Sequence, residues 1–282
     1  MYRRSKTYIM RKIALLLILC TTVAFAQKKS HNESLSGIKK VNLKSNTQIS
    51  IVVGTTNELV IEEITHKKNN DRWDKTEERE ERWEKKDKKK VDRKKGLRAI
   101  YPGGEDNTNG FGFSISKENG VLMVVDLKSH FQRRPIKITL PKTMNLSVNA
   151  GNLGGVSIDG FSSEVEVDTS VGKIELKNVT GPITAHTSVG LITVDFSTVN
   201  QSSPISISSS VGEIDVTLPS STKANLNMRT NGTIYTNFDI KAQPKKGLKN
   251  VSGLRKVNKD INGGGVTIKL KSSMGNIYLR KK

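Results

Sequence analysis

The residues of this 282-residue chain that could do chemistry are four histidines, one cysteine, a scatter of carboxylates and many Ser and Thr hydroxyls. Hydrolysis on a strand scaffold needs carboxylates and a base that converge from adjacent repeats. Measured from glycines that recur in the second half of the chain, Asp159 lies four after Gly155, Asp168 four before Gly172, Asp195 five after Gly190 and Asp215 three after Gly212. These slots differ, so the carboxylates do not stack into one site. Glu175 and Asp215 share the slot three after the glycine, but Thr193 stands between them, and outward strand positions are ordinarily charged and solvated.

His31, His66, His130 and His186 have no partner at i+4 and no neighbouring Cys, so no metal ligand set is read. Ser170, Ser188 and Ser210 flank the glycines without a paired His, which makes them turn formers rather than nucleophiles. No catalytic, metal or cofactor-binding residue is assigned, and the expectation is a chain that is not an enzyme.

The recurrence itself carries more information. The segments Thr169–Leu176, Thr187–Val194, Ser209–Val216, Arg229–Thr236 and Ser272–Leu279 repeat one another, with a fainter copy at Gly151–Ile158. Gly155, Gly172, Gly190, Gly212 and Gly232 are spaced 17, 18, 22 and 20 residues apart, and Gly275 follows 43 later, about two periods. An apolar residue (Val171, Val189, Val211, Met274) precedes the Gly. Two residues after it comes an Ile (Ile174, Ile192, Ile214, Ile234, Ile277), read as pointing inward, and polar side chains such as Lys173, Glu175, Glu213 and Asp215 alternate with it.

One 18-residue coil cannot stand alone. Fixing its backbone costs ~1–2 kcal/mol per residue, whereas each buried Ile or Val returns ~1.5–3 kcal/mol. The coils must stack, sharing strand hydrogen bonds and aligning Ile and Val into ladders. The expected fold is all-β, a right-handed parallel β-solenoid of ~18–22-residue coils, with strands ~4.8 Å apart along its axis. Its structural-repeat residues are Gly172, Ile174, Gly190, Ile192, Gly212, Ile214, Gly232, Ile234, Gly275 and Ile277. Alternation alone does not fix strand direction, so an antiparallel sandwich is the other arrangement this pattern allows.

The elements around the repeat complete the division of the chain. Residues 1–26 read as a secretory signal peptide: Arg3, Arg4, Lys6, Arg11 and Lys12, an apolar run from Ile13 to Leu19, and the cleavage site Ala24-Phe25-Ala26. Leu19 stands where a lipoprotein signal wants a small residue, which argues against lipid anchoring at Cys20. The apolar run is too short to span a bilayer, so no transmembrane span is expected in the mature chain. Residues 27–65 alternate as short strands that cap the solenoid, and 99–140 hold connecting strands before the repeat domain at 141–282.

Between them, residues 66–98 carry fifteen bases and nine acids, net +6, with Trp73 and Trp83 the large apolar groups. Pairs such as Glu78 with Arg82 and Glu84 with Lys88 suit a helix, but the tryptophans would lie about 80° apart around it and share no stripe. The insert reads as a charged helix or a disordered loop, and it offers a contact to an anionic surface. Residues 237–262 depart from the repeat as well.

Overall the chain has 47 bases against 27 acids, net +20, with 34% apolar residues. That rules out a polytopic membrane protein. Nucleic acid is the usual partner at such a charge, but an exported chain does not meet it, and an envelope polymer or protein takes its place.

The units Ser-Val-Gly-x-Ile-x-Val, the segment Pro141–Val148 and the closing Gly263–Leu279 stretch resemble the bacterial "putative adhesin" family of exported β-strand-repeat domains. The resemblance covers residues 136–282 well and 35–65 loosely. It implies a solenoid in the cell envelope, in the periplasm or on the cell surface, and it brings no catalytic residues. The expected function is that of a non-enzymatic adhesin, scaffold or envelope-stress binding module. A polysaccharide-active enzyme on a parallel β-helix is the competing reading.

Overall fold

The computed structural model describes residues 30–64, 97, 99–128, 134–240 and 255–282. The signal segment with Cys20, nearly all of the charged insert with His66, Trp73 and Trp83, then His130, and residues 241–254 lie outside the described residues. By contacts the chain divides into Met1–Ser30 and His31–Lys282, and apart from Ser30 everything below belongs to the second.

The described residues contain strands and turns, with no helix long and apolar enough to cross a membrane. The strands before the repeat are β1 (Ser30–Ser34), β2 (Lys40–Lys44), β3 (Ile49–Gly54), β4 (Glu58–Glu63), β5 (Phe113–Glu118), β6 (Val121–Asp126) and β7 (Ile136–Pro141). Next come β8 (Asn145–Asn149), β9 (Val156–Asp159), β10 (Val165–Val171), β11 (Ile174–Val179), β12 (Ile183–Val189), β13 (Ile192–Phe196), β14 (Ile205–Val211) and β15 (Ile214–Leu218). The last are β16 (Ala224–Thr230), β17 (Ile234–Thr236), β18 (Arg255–Ile261), β19 (Val266–Met274) and β20 (Ile277–Lys281).

These strands form two ten-stranded sheets. The first runs β1-β4-β7-β3-β9-β11-β13-β15-β20-β17 and the second β18-β16-β19-β14-β12-β10-β8-β2-β6-β5. From β8 to β17 the chain alternates between the sheets, one strand in each per repeat, and the neighbours within this region are parallel. Antiparallel strands occur toward the ends: β4 against β7, β5 against β6 and β18 against β16. The sheets are therefore mixed, where the sequence led us to expect a parallel β-solenoid. An end strand has no following repeat to shelter its hydrogen-bonding edge. A short polar strand, a three-residue strand or a charged antiparallel one (β1, β17 and β18) is what stands at three of the four sheet edges.

Register explains why β-branched residues dominate the core. In the first sheet Ile136, Ile49, Val156, Ile174, Ile192, Ile214, Ile277 and Ile234 are successive in-register partners. All but Ile234 are buried, the latter being only half-covered beside the edge. Two residues further along, Ile138, Ile51, Ile158, Leu176, Val194, Val216 and Leu279 form a second buried column.

The order of the repeats in space differs from their order in sequence at both ends. β2 and β3 each have parallel neighbours on both sides, between β6–β7 and β8–β9. At the other end β19 and β20 lie between β14–β15 and β16–β17. Gly275 is thus the neighbour of both Gly212 and Gly232, and the 43-residue interval is a displaced repeat rather than two periods in line.

Candidate functional site

Each repeat turns its corner in the same way. The residue three before the glycine is buried and carries a hydroxyl that donates to a glycine carbonyl of the neighbouring repeat: Thr169 to Gly154 (3.0 Å), Thr187 to Gly172 (3.3 Å), Ser209 to Gly190 (3.1 Å) and Ser272 to Gly212 (2.8 Å). Gly154, not Gly155, therefore stands in the glycine column, and Gly155 lies beside Lys173. In the Arg229–Thr236 copy the corner is one residue shorter, because Thr230 pairs with Ser272 while Ile234 pairs with Ile277. Asn231 occupies this shortened corner.

The apolar residues before the glycines do not join the core. Val171, Val189, Val211 and Met274 are in register along the corner, and Met274 is 67% exposed. Ser170, Ser188 and Ser210 lie beside them at the same corner, one position after the bonding hydroxyls.

The outer face of the first sheet holds most of the carboxylates considered from sequence. Asp215 accepts both Nε (2.8 Å) and Nη2 (2.9 Å) of Arg280, and Asp195 accepts from Lys282 Nζ. Asp159 accepts from Asn178 (2.8 Å). Hydrogen bonds from Lys173 (3.1 Å), opposed by some burial and aided by the charges of Lys173 and Lys177, hold the Glu175 carboxyl below its ordinary range. Asp195 and Asp215 are diagonal neighbours on β13 and β15, while Glu175 is separated from Asp215 by Thr193. Asp168 lies on the other sheet. Tyr278 stacks on Tyr235 with ring centroids 5.2 Å apart.

The outer face of the second sheet is different. Across its strands one lane reads Asp168, His186, Ser208, Lys271, Arg229 and Lys256. The adjacent lane reads Glu166, Thr184, Ser206, Lys269, Asn227 and Asn258. Lys271, Arg229 and Lys256 are in-register neighbours, so three cations stand on three strands ~4.8 Å apart, with Lys269 two residues (~7 Å) along from Lys271. Among the described residues none of these four cations is ion-paired. Lys269, Lys271 and Arg229 border a shallow groove of about 340 Å³ floored by Ser206, Ser208 and Asn227, in which His186 Nδ1 and Ser208 Oγ are hydrogen-bonded at 2.9 Å.

Sequence reading missed this groove because β16 and β19 are brought together only by the displaced repeat. A partial signal exists: the residue four before the glycine changes from Asp168 and His186 to Ser208 and then Lys271. Of the remaining histidines within the described residues, His31 lies 3.8 Å from Glu33. Among the described residues no group of His, Cys, Asp and Glu is arranged to hold a metal ion.

No family model matches the chain, and no curated protein matches it. Solved structures do. A "putative cell adhesion protein" of Clostridium sporogenes is 13% identical, with a TM-score of 0.46 over 91% of this chain and 100% of that one. A "putative adhesin" of Bacteroides fragilis is 15% identical, with a TM-score of 0.38 over 90% of this chain and 96% of that one.

Proposed function

We propose that this chain is a non-enzymatic, exported envelope protein that binds an extended ligand across the outer lanes of a right-handed β-solenoid. Residues 1–26 direct export and are removed, and residues 141–282 supply the repeat scaffold. The observation that carries this reading is the register of the second sheet. Identical steps of ~4.8 Å place outward side chains in straight lanes, a surface suited to a ligand that is itself long and repetitive. The carboxylates of the first sheet support it from the other side. Asp215 and Asp195 are each held by a cation of the C-terminal residues, so both carboxylates are occupied by partners within the chain.

The purified full-length chain, incubated with isolated bacterial envelope polysaccharide, is expected to be retained on the polymer and to leave its length unchanged. Release of new reducing ends would replace this function with hydrolysis on the same scaffold.

A further inference from the structure

We propose that the groove on the second sheet binds a linear acidic polysaccharide, with its carboxylates along the row that runs from Lys271 through Arg229 toward Lys256, flanked by Lys269, and its hydroxyls on Ser206, Ser208 and Asn227. The proposal rests on the reading of the chain as a binding module and names the chemistry of the ligand.

Like charges directly opposite one another across strands are destabilising, yet Lys271, Arg229 and Lys256 occupy three consecutive in-register positions. On the first sheet the chain neutralises its charges locally, as with Arg280 on Asp215 and Lys173 on Glu175. At the groove it does not: the second sheet pairs Lys40 with Glu166 (3.3 Å) on β2 and β10, but Lys269, Lys271, Arg229 and Lys256 have no such partner among the described residues. An uncompensated row of cations is complementary to a row of anions at similar spacing. A uronic acid chain supplies this, one carboxylate per sugar, at intervals close to the distance between neighbouring strands.

The floor of the groove selects among polyanions. Ser206, Ser208 and Asn227 are half-buried hydrogen-bonding groups suited to sugar hydroxyls. Single-stranded nucleic acid is held by aromatic side chains on which bases stack, and no Phe, Tyr or Trp lines the groove among the described residues.

The test uses the full-length chain with polygalacturonate as probe, and with dextran and an oligodeoxythymidylate as controls. Polygalacturonate is expected to bind, more weakly as salt rises, while dextran and the oligonucleotide do not compete. The triple variant Lys269→Gln, Lys271→Gln, Arg229→Gln is expected to lose about tenfold or more in affinity. Removing three exposed charges elsewhere, with Lys39→Gln, Lys44→Gln and Lys142→Gln, is expected to change it less than about twofold. Ser208→Glu leaves all three cations in place and is expected to weaken binding as the triple variant does. Equal losses in the two triple variants, equal binding of the oligonucleotide, or no binding of polygalacturonate would overturn the proposal. Those results leave retention on envelope polymer standing, whereas cleavage of polygalacturonate would remove the wider reading as well.

Discussion

A Cβ added to Gly190 would overlap the carbonyl oxygen of Gly172 in the neighbouring repeat. The same carbonyl accepts the Thr187 hydroxyl at 3.3 Å, and the Gly190 amide donates to Val211 on its far side at 2.9 Å. The corner is thus closed by backbone on both sides, and the obstacle is main chain, which cannot swing away as a side chain could. Gly190→Ala is expected to destabilise the protein by about 3 kcal/mol. Gly155→Ala has only ordinary contact with the Lys173 carbonyl at 3.6 Å and is expected to stay within about 0.5 kcal/mol of the parent. Urea melts of both variants check this, and equal losses would place Gly155, not Gly154, in the column.

Ile192 lies between Ile174 and Ile214, fully buried. Ile192→Asp puts a carboxylate into that column with no cation beside it, and burying an unpaired charge costs several kcal/mol. The variant is expected to lose the cooperative unfolding transition or to melt far below the parent. Lys173→Ala removes an exposed ion pair with Glu175 and is expected to cost under about 1 kcal/mol. Circular dichroism melts distinguish the two.

How much of this could be read from the sequence depends on the range over which the signal acts. Ile174, Ile192 and Ile214 announce themselves because alternation and glycine spacing are local, and successive repeats there are also neighbours in space. Val171 and Val211 have the same apolar chemistry but sit at the corner, where alternation ends and the inward side is no longer defined by the pleat. Arg229 and Lys271 are 42 residues apart and meet only because β19 enters beside β16. Nothing in either segment marks that placement, since every repeat offers the same aliphatic column to its neighbour.

Asp106 organises the loop before β5. Its carboxylate accepts the Thr108 amide (2.9 Å) and hydroxyl (2.7 Å) and the Gly112 amide (3.0 Å). Partial burial acts to raise its pKa, but the hydrogen bonds from Thr108, Gly112 and Gly110 together outweigh it and hold the group below the ordinary aspartate value. A lowered folded-state pKa gives stability that is complete above the unfolded value and is lost as pH falls through the folded one. Asp106→Asn is therefore expected to cost about 1–2 kcal/mol at neutral pH. The gap between parent and variant should narrow below about pH 4, where aspartate begins to protonate in the unfolded chain. Thermal melts from neutral to acid pH measure that gap, and one that widened on acidification would contradict the assignment.

The displaced repeat near the C-terminus has a consequence for how the molecule is assembled. Synthesis delivers the chain from one end, and a simple stack could grow behind the emerging segment, each turn settling on the last. Here β16 and β17 have no seat on β14 and β15 until β19 and β20 arrive to lie between them. The final strands act as a keystone, so a chain cut short before Val266 forfeits two layers of the stack although only one has been removed.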